Sequence, residues 1–162
     1  MGTDRSDGGL GPEIWVRGPV DAPSELYSWV GAHGGAGTST LAGVFGGHDS
    51  GREWPVPPAP GAVLLVARTH AAGLAAALRT LQMFRNGEPP AGLTLNAVVL
   101  VADSAGRLPR ALVQQVRRLE PLITVHRVPW VPAWRLGDFT GTPPRETTPL
   151  ARALGGGDGG TR

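Results

Sequence analysis

Two segments of this chain are apolar without a break, AVLLVA at residues 62–67 and NAVVLVA at residues 96–102. A strand with one wet face alternates apolar and polar residues, so an unbroken run predicts a strand covered on both faces, as in a parallel sheet. Between the runs Leu74, Leu78, Leu81 and Phe84 recur at helical spacing, and Leu108, Leu112, Val116 and Leu119 do so after the second. ELYSWVGA at 25–32 and LITVHRV at 122–128 supply a first and a last strand. The alternation of strand and helix predicts an α/β fold, an open, mostly parallel sheet of four to five strands with flanking helices. The stretch GGHDSGREWPVPPAPG has no periodicity and reads as a surface loop.

At 162 residues the chain holds one domain with a proper core, expected over residues 24–139. Residues 1–23, rich in Gly, Asp and Pro, and residues 140–162 carry too little apolar surface to order themselves, and are expected as a flexible and a disordered tail. Within the first, Ile14, Trp15 and Val16 form an apolar island read as an edge strand. No window approaches the roughly 18 apolar residues of a membrane span, and the first residues lack the apolar core of a signal peptide. A cytoplasmic protein without a membrane partner is the expectation. The absence of cysteine excludes disulfides, thiolate metal sites and cysteine nucleophiles.

Charge changes the picture less than it first suggests. The isoelectric point is near 10.3, but the net charge is only +2, and all 15 basic side chains counted are arginine, with no lysine anywhere. The densest basic segment, GRLPRALVQQVRRLE, places Arg110, Arg117 and Arg118 away from the apolar stripe of its helix and has no interleaved aromatics. It reads as a solvated helix face, which argues against a nucleic-acid partner.

The chemistry concentrates in WVGAHGGAGTSTLAG, residues 29–43. Gly34, Gly35 and Gly37 follow the first strand and precede a helix from about Ser39. Such a frame lets successive backbone N–H groups turn inward as a nest for phosphate oxygens at the positive end of a helix. Ser39, with Thr40 behind it, stands where a magnesium-ligating hydroxyl belongs, and Thr38 stands where an ordinary phosphate loop has its lysine.

AHGGAGTST resembles the deviant Walker A loop of the ParA and MinD ATPases. Gly34, Gly35, Gly37, Ser39 and Thr40 match that pattern, Ala36 fills its variable position, and His33 and Thr38 replace its two lysines. The resemblance implies a P-loop NTPase-like, Rossmann-like domain over about residues 25–130, with ATP and magnesium as cofactors bound at His33 to Thr40. It leaves a homodimer open. The whole chain also resembles a group of small, uncharacterised actinobacterial proteins with the same lysine-free loop, some of which occur beside conjugation genes.

Losing one charge-assisted contact to a phosphate costs roughly 1.5–3 kcal/mol, on the order of a hundredfold in affinity. Arginine is the only replacement cation in this chain, and Arg68 and Arg107 both follow core strands at the ligand-binding edge. Asp103, after the second apolar run and followed by Gly106, reads either as a cap or turn residue before Leu108 or as a magnesium ligand with Ser39. The strand AVLLVARTH carries no terminal aspartate, so a catalytic carboxylate is missing unless Asp49 serves. His33, His48, His70 and His126 lack zinc-site spacing, and no Gly-x-Ser-x-Gly elbow occurs.

Trp130, Trp134 and Arg135 lie beyond the last strand between prolines. They read either as a cap on the core or as a surface for a protein partner. Two functions follow. One is a pseudo-ATPase or weak nucleotide or phosphate binder acting through a protein partner in a conjugation or mobile-element system. The other is an active magnesium-dependent ATPase with an arginine in the lysine's place.

Overall fold

A computed structural model describes residues 26–161. The chain runs through β1 (Ser28–Gly31), α1 (Thr38–Phe45), β2 (His48–Asp49), β3 (Ala62–Arg68), α2 (Ala71–Arg85) and β4 (Thr94–Val101). It continues through α3 (Arg110–Leu119), β5 (Val125–Val128), the short α4 (Pro132–Arg135), a 3-10 turn at Arg145–Thr147 and α5 (Thr148–Thr161). The fold is α/β. Its five strands form one open, all-parallel sheet in the spatial order β2-β1-β3-β4-β5. The chain steps outward from β1 to β2, then returns past β1 to lay down β3, β4 and β5. Strand order therefore reverses between β1 and β3, and in open α/β sheets the crevice at such a reversal is where ligands bind.

The central strand β3 explains its own sequence. Leu64 and Val66 face a cluster with Trp29, Leu41 and Val99, while Val63, Leu65 and Ala67 face a second cluster with Val30, Leu74, Val98 and Leu100. Both faces are dry, so every position from Ala62 to Ala67 is apolar. Helices α2 and α3 cover the second face through Leu74, Leu81, Val116 and Leu119. Helix α1 lies on the first face through Leu41. Its C-terminal carbonyls are tied to β1, because Tyr27 Oη donates to Phe45 O at 3.1 Å and Trp29 Nε1 donates to Gly46 O at 2.7 Å. Fixing that end aims the other end of α1 at the crevice.

Two expectations are corrected here. The connection after α1 is not wholly loop, because His48 and Asp49 form the edge strand β2 against Ser28 and Trp29. The segment beyond residue 140 is not a disordered tail, because Thr147 and Leu150 are buried at 1% exposure and α5 closes the first face over Tyr27, Leu64 and Ala97. Its apolar content is small, but two leucines at helical spacing, Leu150 and Leu154, suffice when the sheet already offers an uncovered apolar patch. Expectations for residues 1–23, including the strand at Ile14–Val16, lie outside the described residues. No helix among the described residues is long and apolar enough to cross a membrane.

Candidate functional site at the glycine loop

Strand β1 ends at Gly31, whose N–H donates to Gly51 O at 2.6 Å, and the next amide, of Ala32, donates to Val66 O at 2.8 Å. The chain then curls through residues 33–37. Gly35 and Gly37 have φ of 75° and 111°, a left-handed backbone that a side chain would strain. Gly37 occupies the N-cap of α1, so no side chain caps the first turn and no acidic residue lies within it. The first amides of a helix have no intrahelical acceptor, and together with the helix dipole they favour an anion. Ala36 points the other way, into the core at 3% exposure, so only its backbone belongs to the loop's outer surface.

Arg68, the last residue of β3, crosses the switch point and meets this loop. Its Nε donates to Gly35 O and its Nη1 donates to Ala102 O, each at 3.2 Å. A methyl group built on Gly37 would lie 3.5 Å from Arg68 Nη2. The guanidinium therefore lies along Gly35–Gly37, held by two carbonyls, with the Nη2 donors outside those two bonds. A guanidinium is planar and carries five donors, so a group fixed at two of them still presents others to an oxyanion.

His33 plays another part than that of a free cation. Its Nε2 accepts the backbone N–H of Arg68 at 2.9 Å, while Nδ1 lies 2.9 Å from Gly34 O. An N–H pointing at Nε2 requires a lone pair there, which assigns the proton to Nδ1. The ring is thus a bracket between the glycine loop and the end of β3. It lies against His70, the ring centres 5.1 Å apart and the planes tilted by 49°, and His70 Nδ1 in turn accepts the N–H of Gly73 and so caps α2. Gly73 has no room for a side chain, since a methyl group there would collide with Arg68 O and press on both rings.

Of the other loop residues, Ser39 is exposed, Thr38 is half-buried, and Thr40 lines a small cavity of about 70 Å³ together with Arg68, Ala102 and Trp130. A second arginine approaches the loop from a direction that periodicity does not reveal. Arg52, in the connection after β2, brings Nη1 to 3.9 Å from a methyl group built on Gly34. Its only sequence signal is that it follows an edge strand at the same end of the sheet.

Ser39 and Asp103, the candidate magnesium pair, line no common cavity. Asp103 is exposed in the bend after β4 and lines a cavity of about 530 Å³ that no residue of the glycine loop lines. Nor does Asp103 cap a helix, because α3 begins after Pro109. Arg107 lines that same cavity, so of the two candidate arginines Arg68 alone reaches the loop. Asp49 spends its carboxylate on the turn beside it, accepting the N–H of Gly51 at 3.0 Å.

The indole pair divides its roles. Trp134 packs on the first core cluster, edge-on to Phe45 at 6.5 Å. Trp130 is half-buried and forms part of the wall of both cavities, and the guanidinium carbon of Arg135 sits 5.0 Å above its ring. A cation over an indole face is a favourable electrostatic contact that fixes the ring.

A protein with this parallel sheet and a glycine loop at the strand-order reversal belongs among the doubly wound α/β proteins. Residues 26–153 match the profile of a family described as "family of unknown function (DUF6668)", and the chain belongs to that family. No curated protein and no solved structure gives a significant match.

Proposed function

We propose that this protein is a P-loop-like phosphate or nucleotide binder that has exchanged the loop lysine for Arg68 and binds without appreciable turnover. The observation that carries the reading is the Arg68 guanidinium, anchored on Gly35 O and Ala102 O and lying beside Gly37. It supplies a fixed cation at the uncapped N-terminus of α1, where backbone amides and dipole already favour an anion. The residues fit a phosphate group. They fit magnesium poorly, since Asp103 and Ser39 do not line a common cavity with one another. The end of β3 carries Arg68, Thr69 and His70 in place of a carboxylate, which supports binding over hydrolysis.

In this reading the protein is a pseudo-ATPase of the ParA and MinD kind, acting in the cytoplasm through a protein partner, as an accessory or regulatory protein of a conjugation or mobile-element system. A homodimer across the loop would bring two copies of the Arg52 and Arg68 surface together, and bound phosphates would offset their charge. An active ATPase is the second reading, favoured by the same Arg68.

Calorimetric titration with ATP, ADP and inorganic triphosphate, with and without magnesium, tests both. Binding that Arg68→Ala weakens by about 10- to 100-fold is expected, the equivalent of one charge-assisted contact. Arg68→Lys recovers only part of it, because a point charge cannot span two carbonyls and a phosphate. Absence of binding to millimolar ligand, or an Arg68→Ala variant that binds as tightly as the parent, overturns the proposal. Phosphate release at more than background rate selects the second reading.

A further inference from the structure

The cavity of about 530 Å³ beside the loop is not used by the phosphate reading, and its size is that of a small-molecule pocket. It opens at the carboxyl ends of β3, β4 and β5, the edge of the sheet where ligands bind. Its floor is apolar, with Leu100, Leu108, Leu112 and Val128. The polar groups at its mouth carry both signs, Asp103 and Glu146 against Arg107 and Arg127. Its wall is the indole of Trp130, and Arg135, which lies over that ring, lines only the smaller cavity on the other side.

Trp130, Pro129 and Ala102 line both cavities, and the smaller one is also lined by Thr40 and Arg68. The large cavity and the glycine loop are therefore joined by a continuous row of residues. Neighbouring strands lie about 4.8 Å apart, so the crossing from β1 to the gap between β4 and β5 is on the order of 12 Å. An extended nucleotide spans that distance.

We infer that this cavity takes the nucleobase of a ligand whose phosphates lie on the glycine loop, with Trp130 as the stacking platform. The inference deepens the phosphate-binding reading and rests on it for the placement of the phosphates. A flat heteroaromatic ring matches an indole wall over an aliphatic floor. Its edge carries amino donors for Asp103 and Glu146 and ring-nitrogen or carbonyl acceptors for Arg107 and Arg127. Inorganic phosphate, a phosphopeptide or a lipid headgroup would leave the platform unused.

The test compares ATP and GTP with inorganic triphosphate by calorimetry, and follows the Trp130 indole N–H by NMR during titration with adenosine and guanosine. At least one nucleotide is expected to bind about tenfold or more tighter than triphosphate, since loss of one base-aromatic stack typically costs about tenfold to a hundredfold. Trp130→Ala removes that advantage, read as the ratio of nucleotide to triphosphate affinity in the same variant, and Trp130→Phe keeps most of it. Equal affinity for nucleotides and triphosphate, or an advantage that survives Trp130→Ala, overturns the inference. The nucleosides separate this failure from that of the phosphate site. A Trp130 shift with adenosine or guanosine, in a protein that ignores triphosphate, upholds the base cavity and sinks the loop reading. No shift with either nucleoside sinks the base cavity whatever the loop binds.

Discussion

At the scale of single residues the site depends on one hydrogen bond between a side chain and a backbone amide. His33 Nε2 receives the Arg68 N–H, so the imidazole couples the curl of the loop to the strand that delivers the arginine. His33→Ala leaves that half-buried amide without its partner and is expected to destabilise the fold by about 1–2 kcal/mol, measured by urea denaturation. Anion affinity should fall with it, because the arginine's backbone is released. His33→Gln, which offers a carbonyl oxygen as acceptor, should recover part of both. An unchanged denaturation midpoint in His33→Ala would show the bond to be dispensable. The glycine frame was legible in the sequence, since spacing names the loop, and Arg68 was legible only as one of two arginines, with Arg107, that follow core strands. The role of His33 was not, because a ring nitrogen accepting an amide from 35 residues away leaves no trace in local pattern.

At the scale of elements the decisive one is α5, because it completes the face of the sheet that α1 covers only in part. Leu150 is fully enclosed there. Leu150→Ala is expected to cost about 2–5 kcal/mol, read as a lower thermal midpoint. Removal of residues 156–162, mostly glycine, should change that midpoint little, because glycine is an unfavourable helix residue and brings no apolar side chain. A Leu150→Ala midpoint equal to the parent's would show that α5 is not needed to close the core. Strands β3 and β4 and helices α2 and α3 could be read in advance, because their apolar periodicity is sustained over many residues. Helix α5 could not, because its composition is that of a tail and the patch it covers exists only after the sheet has formed. The two-residue β2 was hidden for a related reason, since its pairing with Ser28 and Trp29 is non-local.

For the whole molecule, pH gives a test of how α5 and the sheet are joined. His126 of β5 lines the space between the sheet and α5 with Leu150 and Leu154, and burial holds its ring below the ordinary value of 6.5. The unfolded chain titrates at the ordinary value, so between the folded value and 6.5 the unfolded state binds more protons. Stability rises with pH across that window. The full contribution is present above 6.5 and is lost as the pH falls through the folded value. Unfolding midpoints at pH 7.5 and pH 5, values chosen to bracket about 6.5, should differ, and His126→Asn should shrink the difference. An equally steep dependence in the variant would assign it to other groups. Asp138 is no confounder in this range. Its carboxylate accepts from the Thr140 hydroxyl and the Thr140 backbone N–H, which hold it below 3.8, so its effect appears only in stronger acid.

By itself the sequence determined the fold class, the strands buried on both faces, the glycine loop after the first strand, and a choice of two arginines, Arg68 and Arg107, at the carboxyl edge of the sheet. These follow from period, backbone freedom and side-chain chemistry, all of which act over a few neighbouring residues. The tertiary structure alone decided that Arg68 and not Arg107 reaches the loop, that Asp103 lines a cavity that Ser39 does not, and that Trp130 stands between the two cavities. It also brought Glu146, from the segment taken for a tail, to the mouth of the larger cavity. The physical reason is the strand order. Parallel crossovers carry the chain back across the sheet each time, so the loops after β1, β3, β4 and β5, far apart in the chain, lie side by side at one edge, and which side chains then converge depends on pleat, register and helix docking.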